Sequence, residues 1–178
     1  AHPVSTRVNA TRNNGADLIT EIDAKLIVLD CLPNLVLTKE RSTVKVSELI
    51  LSSVKQLRQN STTPILLIEN AGYSNESSNN QLLESTEKLN KTMQVAFAQL
   101  KSEDIKNIYL MTKAEIGLTL DSYVDGTHPT DLGMEIYALA YEKKIRQIIN
   151  EPVGNYSTTI PATQTREPGT YNWEKRHN

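Results

Sequence analysis

The sequence predicts a three-layer α/β domain, with helices covering both faces of a parallel sheet. Three observations lead there. Three short runs are apolar on successive residues, as strands buried on both faces must be. Stretches with apolar residues at helical spacing lie between them. Polar residues with chemical potential gather directly after the runs, and open sheets of this kind bind ligands beyond the carboxyl ends of their strands.

Leu26–Asp30 is the first run, rich in β-branched residues and closed by a Cys-Leu-Pro-Asn turn signal. From Arg41 to Asn60 the positions Val44, Val46, Leu49, Ile50, Val54 and Leu57 recur with helical period. Pro64–Glu69 reads as the second buried strand and Asn70–Asn80 as a polar loop. A long amphipathic helix is expected over about Gln81–Lys101, and a third strand over Asn107–Met111. A loop containing Gly and Thr then leads to a last helix over about Thr130–Asn150. The loops after Asp30, Glu69 and Met111 are therefore expected to build the site. Residues 1–150 read as one domain. Residues 151–178 are Pro-, Thr- and Asn-rich with Tyr171 and Trp173 near the end, and read as an extended arm or connector.

Composition narrows the function. The 178 residues suffice for one hydrophobic core. Hydrophobic residues make up 38%, and 19 basic side chains face 21 acidic ones, a balance unlike that of a disordered chain. A net charge of -2 without a basic stripe argues against nucleic acid as a partner. No apolar run approaches the roughly 18 residues of a membrane-spanning helix, so no membrane partner is expected. The single cysteine, Cys31, excludes an internal disulfide and a Cys-only zinc site. No phosphate-cradling Gly-rich loop is present, so no nucleotide cofactor is expected. His128 and Asp131 would hold a metal only with ligands from elsewhere, and no metal is expected. Asn9, Asn60, Asn75, Asn90 and Asn155 begin Asn-x-Ser/Thr triplets, which matter only in a glycosylating pathway.

The richest constellation is Asp125-Gly126-Thr127-His128-Pro129-Thr130-Asp131-Leu132-Gly133, at the entry to the last helix. A turn of this length can bring the Asp125 carboxylate to His128 Nδ1, fixing the tautomer and leaving Nε2 free as a base. Thr130 suits the helix N-cap. The plainer alternative is that His128 caps the helix while Asp125 satisfies loop amides. After the first strand, Asp30-Cys31-Leu32-Pro33-Asn34 places an amide that could donate to an oxyanion, though Asn and Pro are also ordinary turn residues. Cys31 reads as a buried core residue rather than a nucleophile, because nothing beside it would lower its pKa. Glu69–Asn75 reads either as a polar rim of the site or as a solvated loop.

These parts, in this order, resemble the SGNH hydrolases, also called the GDSL family of serine esterases and acylhydrolases. The Asp125-Gly126-Thr127-His128-Pro129 string matches the family's D-x-x-H-P block before the final helix, and Asp30–Asn34 is similar to the block whose Asn serves the oxyanion hole. Ile65–Asn75 resembles the following strand and loop of bacterial two-part members, and Thr165–His177 a connector to a second hydrolase domain. The resemblance implies a flavodoxin-like sheet and serine esterase or acylhydrolase activity. It implies His128 as base, Asp125 as its partner and Asn34 as an oxyanion donor. The implied substrate is a small-molecule or carbohydrate ester, and the implied location is periplasmic or secreted.

The sequence departs from the family at the nucleophile. No Gly-Asp-Ser-like block precedes Asp30, Ala1–Asn14 is too polar and irregular for the strand that would carry one, and Ser5 is the only serine before Ser42. Asn13-Asn14-Gly15 is a candidate for the block that supplies a glycine amide, although the residues around it do not match. The alternatives are a fragment of an esterase, a catalytically inactive domain that binds a ligand or partner, and a rearranged segment that brings Ser5 to the site. A domain without its first strand would have an open sheet edge, which a homodimer or the chain's own tail is expected to cover.

Overall fold

Residues 14–152 are described by a computed structural model of the chain. Ser5, His2, His177, Asn9, Asn155 and the arm beyond residue 152 lie outside these residues, as does the expectation placed on the tail. Three strands, β1 (Ile27–Leu29), β2 (Ile65–Ile68) and β3 (Ile108–Met111), form a parallel sheet in the order β1-β2-β3. Ile27 pairs with Ile65, which pairs with Ile108; Leu29, Leu67 and Leu110 match in the same register.

Period-2 alternation splits each strand between two cores. Ile27, Leu29, Ile65, Leu67 and Ile108 point to the face covered by α1 (Asn14–Thr20), α2 (Thr43–Asn60) and α3 (Asn80–Ser102). There they meet Val46, Ile50, Val54 and Leu57 of α2 and Leu89, Met93, Ala96 and Leu100 of α3. Val28, Leu66, Ile68, Tyr109 and Met111 point to the other face, covered by α4 (Lys113–Ile116) and α5 (Asp131–Ile149). This is the expected three-layer α/β arrangement. β2 is buried along its whole length, which is why its sequence is apolar without alternation. Each fully buried leucine or isoleucine there contributes about 1.5–3 kcal/mol relative to exposure.

The helix starts follow their caps. Ser42 accepts from Lys45 N, so α2 begins at Thr43 rather than Arg41. Asn79 accepts from Leu82 N and Thr130 from Gly133 N, each satisfying an otherwise orphaned amide. β1 stops one residue before Asp30 because a 3-10 turn, Leu32–Asn34 with Pro33 inside it, redirects the chain. Two helices fall where none was expected. α1 packs Ala16 and Ile19 into the first core, two apolar positions too few to show periodicity. α4 is a single capping box, with Thr112 accepting from Glu115 N and the Glu115 side chain accepting from Thr112 N.

The layers are unequal. α2 and α3 each bury several side chains, whereas Gly133 is the only buried residue of α5. Leu132, Met134 and Leu139 of α5 are exposed.

Candidate active site

The loop between α4 and α5 carries a 3-10 turn (Leu120–Ser122) and then folds back on itself. Tyr123 and Pro129 form an antiparallel bridge, and Val124 N donates to His128 O at 2.8 Å. Gly126 occupies the tip at φ +91°, a left-handed conformation that disfavours a side chain. The result brings Asp125 and His128 together, with His128 Nδ1 2.7 Å from Asp125 Oδ2. Asp125 Oδ1 meanwhile accepts from Thr127 N at 3.0 Å and His128 N at 2.9 Å. The carboxylate thus does both things the sequence left open, satisfying loop amides with one oxygen and the imidazole with the other. The His128 backbone amide, followed by the imidazole, holds the Asp125 carboxyl well below the usual carboxylate range. Thr130, not His128, caps α5. The pair stands in solvent, the two side chains being 75% and 54% exposed, so Nε2 is open to a reacting group.

The loop is seated on two neighbours. Its exit packs against its own 3-10 turn, with Thr130 N donating to Ser122 O at 2.9 Å. Gly133 makes this approach feasible, since a Cβ there would lie 2.3 Å from Ser122 O. Its tip meets the segment after β2, where Ser74 N donates to Gly126 O at 3.0 Å.

The first part of that segment is not a solvated loop. Glu69 and Asn70 are buried, and so is Glu76. Glu69 accepts from Gln94 Nε2 and Lys113 N, both at 2.8 Å. Asn70 and Asn90 exchange two 2.9 Å hydrogen bonds, and Asn70 Oδ1 accepts from Gly72 N at 2.8 Å. A buried Asn90 is a poor glycosylation acceptor, since the transferase must reach it from solvent. Beside this network an open cleft of about 850 Å³ is lined by Glu69, Ala71, Asn90, Gln94, Lys113 and others. Asp125 and His128 stand on the surface outside it.

Asn34 closes the 3-10 turn after β1, at the carboxyl end of the sheet. Its side chain is exposed and makes no hydrogen bond among the described residues, to His128 or to any other. Cys31 is half-buried rather than core. Burial and then the charge of Asp30 push its thiol pKa up, which disfavours the thiolate a nucleophile needs. Among the described residues no group of three or more His, Cys, Asp and Glu gathers to hold a metal.

Asp30 was named only as part of its turn, yet it has a specific partner. Tyr141 of α5 donates to Asp30 Oδ2 at 2.6 Å, and the Tyr137 ring lies 6.0 Å from that of Tyr141. Packing around the carboxyl raises the pKa of Asp30, partly offset by the tyrosine hydrogen bond. The sequence signal was the i, i+4 tyrosine pair on the sheet-facing side of α5.

Comparison with known proteins places these features in context. The model of the GDSL-like lipase/acylhydrolase family matches residues 10–146. The crystal structure of a protein assigned as a GDSL-like lipase from Bacteroides ovatus superposes with a TM-score of 0.69 at 26% identity, covering 79% of this chain and 41% of that one. The salicylyl-acyltransferase SsfX3 from a tetracycline biosynthetic pathway shares the fold, with a TM-score of 0.61 at 16% identity, over 78% of this chain and 42% of its own. The chain therefore spans about two fifths of the length of these structures. No curated protein sequence matches it.

Proposed function

The chain belongs to the GDSL-like lipase/acylhydrolase family, and from that premise we propose that it supplies the His–Asp–Asn part of a serine acylhydrolase site acting on an ester. The observation that carries this reading is the His128 Nδ1–Asp125 Oδ2 contact of 2.7 Å, which leaves Nε2 facing solvent. In this reading a serine Oγ attacks the ester carbonyl while His128 Nε2 takes its proton. Asp125 keeps the imidazole in the Nδ1–H tautomer and stabilises the imidazolium. The proton then passes to the departing alkoxide, and water releases the acyl group by the same steps in reverse order. Asn34 contributes a side-chain donor to the oxyanion, together with backbone amides. Acyl esters of carbohydrates are the substrate class proposed.

The reading requires a serine, and among the described residues no serine hydroxyl hydrogen-bonds His128. Fluorophosphonate labelling of the purified full polypeptide, read by intact mass and peptide mapping, identifies it. The expected result is one adduct on one serine, lost in His128→Ala. A folded protein that takes no label beside a labelled control esterase would sink the hydrolase reading and leave a ligand-binding domain. Asn34→Ala is expected to lower kcat about 10²- to 10³-fold at unchanged melting temperature, because the Asn34 side chain has no bonds to lose in the fold. Wild-type kcat in that variant would remove Asn34 from the site.

A further inference from the structure

The Asp125–His128 turn is exposed and held mainly by local bonds. Among the described residues, its two hydrogen bonds to distant sequence both land on residues 71–74. They are Ser74 N to Gly126 O at 3.0 Å and the longer Tyr123 hydroxyl to Ala71 O at 3.5 Å. Residues 71–74 are in turn pinned from beneath by an ion pair, with Lys113 Nζ of α4 2.5 Å from Glu76 Oε2. Gly72 lets that pair close over the backbone. It sits at φ +96°, and a Cβ there would lie 2.5 Å from Lys113 Nζ and 2.9 Å from Glu76 Oε2.

The pair is a costly way to hold a loop. Glu76 is only 7% exposed, and its second oxygen, Oε1, is buried without a hydrogen-bond partner among the described residues. Removing the Glu76 carboxylate from water is costly, and a half-satisfied carboxylate recovers less of that cost than a fully bonded one, while the Lys113 ammonium keeps part of its hydration. An apolar contact of the same volume would hold the loop with no such cost, but with less definition of direction. Buried ionic groups are best attested where they fix register. Here the register in question is that of Ser74 against Gly126, one residue from Asp125.

We propose that Glu76 and Lys113 are positioning residues, whose ion pair sets residues 71–74 and through the Ser74–Gly126 hydrogen bond holds Asp125 against His128. The turnover arm of the test rests on the acylhydrolase reading above; the spectroscopic arm does not. The experiment is the imidazole ¹H–¹⁵N spectrum of His128 in the full chain at neutral pH, assigned by its loss in His128→Ala. It is accompanied by melting temperature and by turnover of p-nitrophenyl acetate. Wild type is expected to show the Nδ1–H tautomer that Asp125 enforces. Glu76→Gln and Lys113→Met are expected to shift His128 toward Nε2–H and to lower kcat about 10- to 100-fold with KM little changed, the loss typical of a small misplacement. Lys113→Arg keeps the charge and should retain both wild-type properties.

Should Glu76→Gln fail to fold, the contrast between Lys113→Met and Lys113→Arg decides. A wild-type tautomer in the folded neutral variants overturns the proposal, whatever their turnover. A tautomer shift with turnover absent or unchanged in every protein, wild type included, supports the positioning and instead removes His128 from catalysis.

Discussion

Asp125 is exposed, yet its carboxylate collects three hydrogen bonds from residues two and three positions along the chain. Their direction is what matters, since each stabilises the charged form. Asp125 is therefore expected to remain ionised through pH 3–5, where an ordinary aspartate titrates at about 3.9. Its side-chain ¹³C shift should stay flat over that range; a normal titration there would show that the turn is not closed in solution. The sign for stability follows. A depressed folded-state pKa contributes stability above the unfolded value, lost as pH falls through the folded value. Acid should thus open the His128 turn only well below the usual carboxylate range. Exposure limits the size of the effect but not its direction. The sequence offered this proximity as one of two readings, because a three-residue spacing permits it without excluding the plainer cap.

At the level of elements, α5 does two separate jobs. Its first turn carries the candidate loop, and a Cβ on Gly133 would lie 2.3 Å from Ser122 O. Gly133→Ala forces the helix start away from the 3-10 turn and is expected to cost about 1–3 kcal/mol, as overpacking does. Denaturant melts should show that loss, and an unchanged midpoint would mean that the two elements are not in contact. Further along, α5 reaches the tip of β1 through Tyr141 and Asp30. The raised pKa of Asp30 gives the opposite sign to that of Asp125. Stability from this group is fully present below the unfolded carboxylate value and declines as pH rises through the higher folded value. Asn in its place keeps an acceptor for the tyrosine hydroxyl without the charge. Asp30→Asn should therefore melt higher than wild type at pH 7 and the same at pH 3. A lower melting temperature at pH 7 would show that the charged hydrogen bond outweighs the desolvation.

Across the whole molecule, the two cores differ in depth. The face under α2 and α3 is built from long helices that each fully bury several side chains, whereas the face under α5 is closed by a helix of which only Gly133 is fully buried. Local opening costs least where fewest apolar contacts are lost. Native-state hydrogen exchange is accordingly expected to rank the amides of β2 and α3 slowest and those of α5 faster, in one cooperative unit. Equal protection in α3 and α5 would mean that the second core is as well packed as the first. The same ranking places the candidate His128 turn on the more easily opened side of the sheet, in keeping with the substrate-binding role proposed for it.

The amino-acid sequence by itself determined the α/β class, the three strands and the main helices, and offered the Asp125–His128 pairing as one of two readings. Each is written in short-range patterns: unbroken apolar runs, a 3.6-residue period, and a turn of fixed length before a cap. The ends of the elements were less legible, since Ser42 and the Pro33 turn settle them by local bonds that compete with propensity. α1 and α4 were too short to show a period. Only the tertiary structure decided which polar residues after β2 are buried, that Lys113 reaches Glu76 across 37 residues, and that Tyr141 reaches Asp30 across 111. Partners so far apart are chosen by the register of the sheet and the packing of α3 and α5 upon it, and neither leaves a periodic trace in the chain.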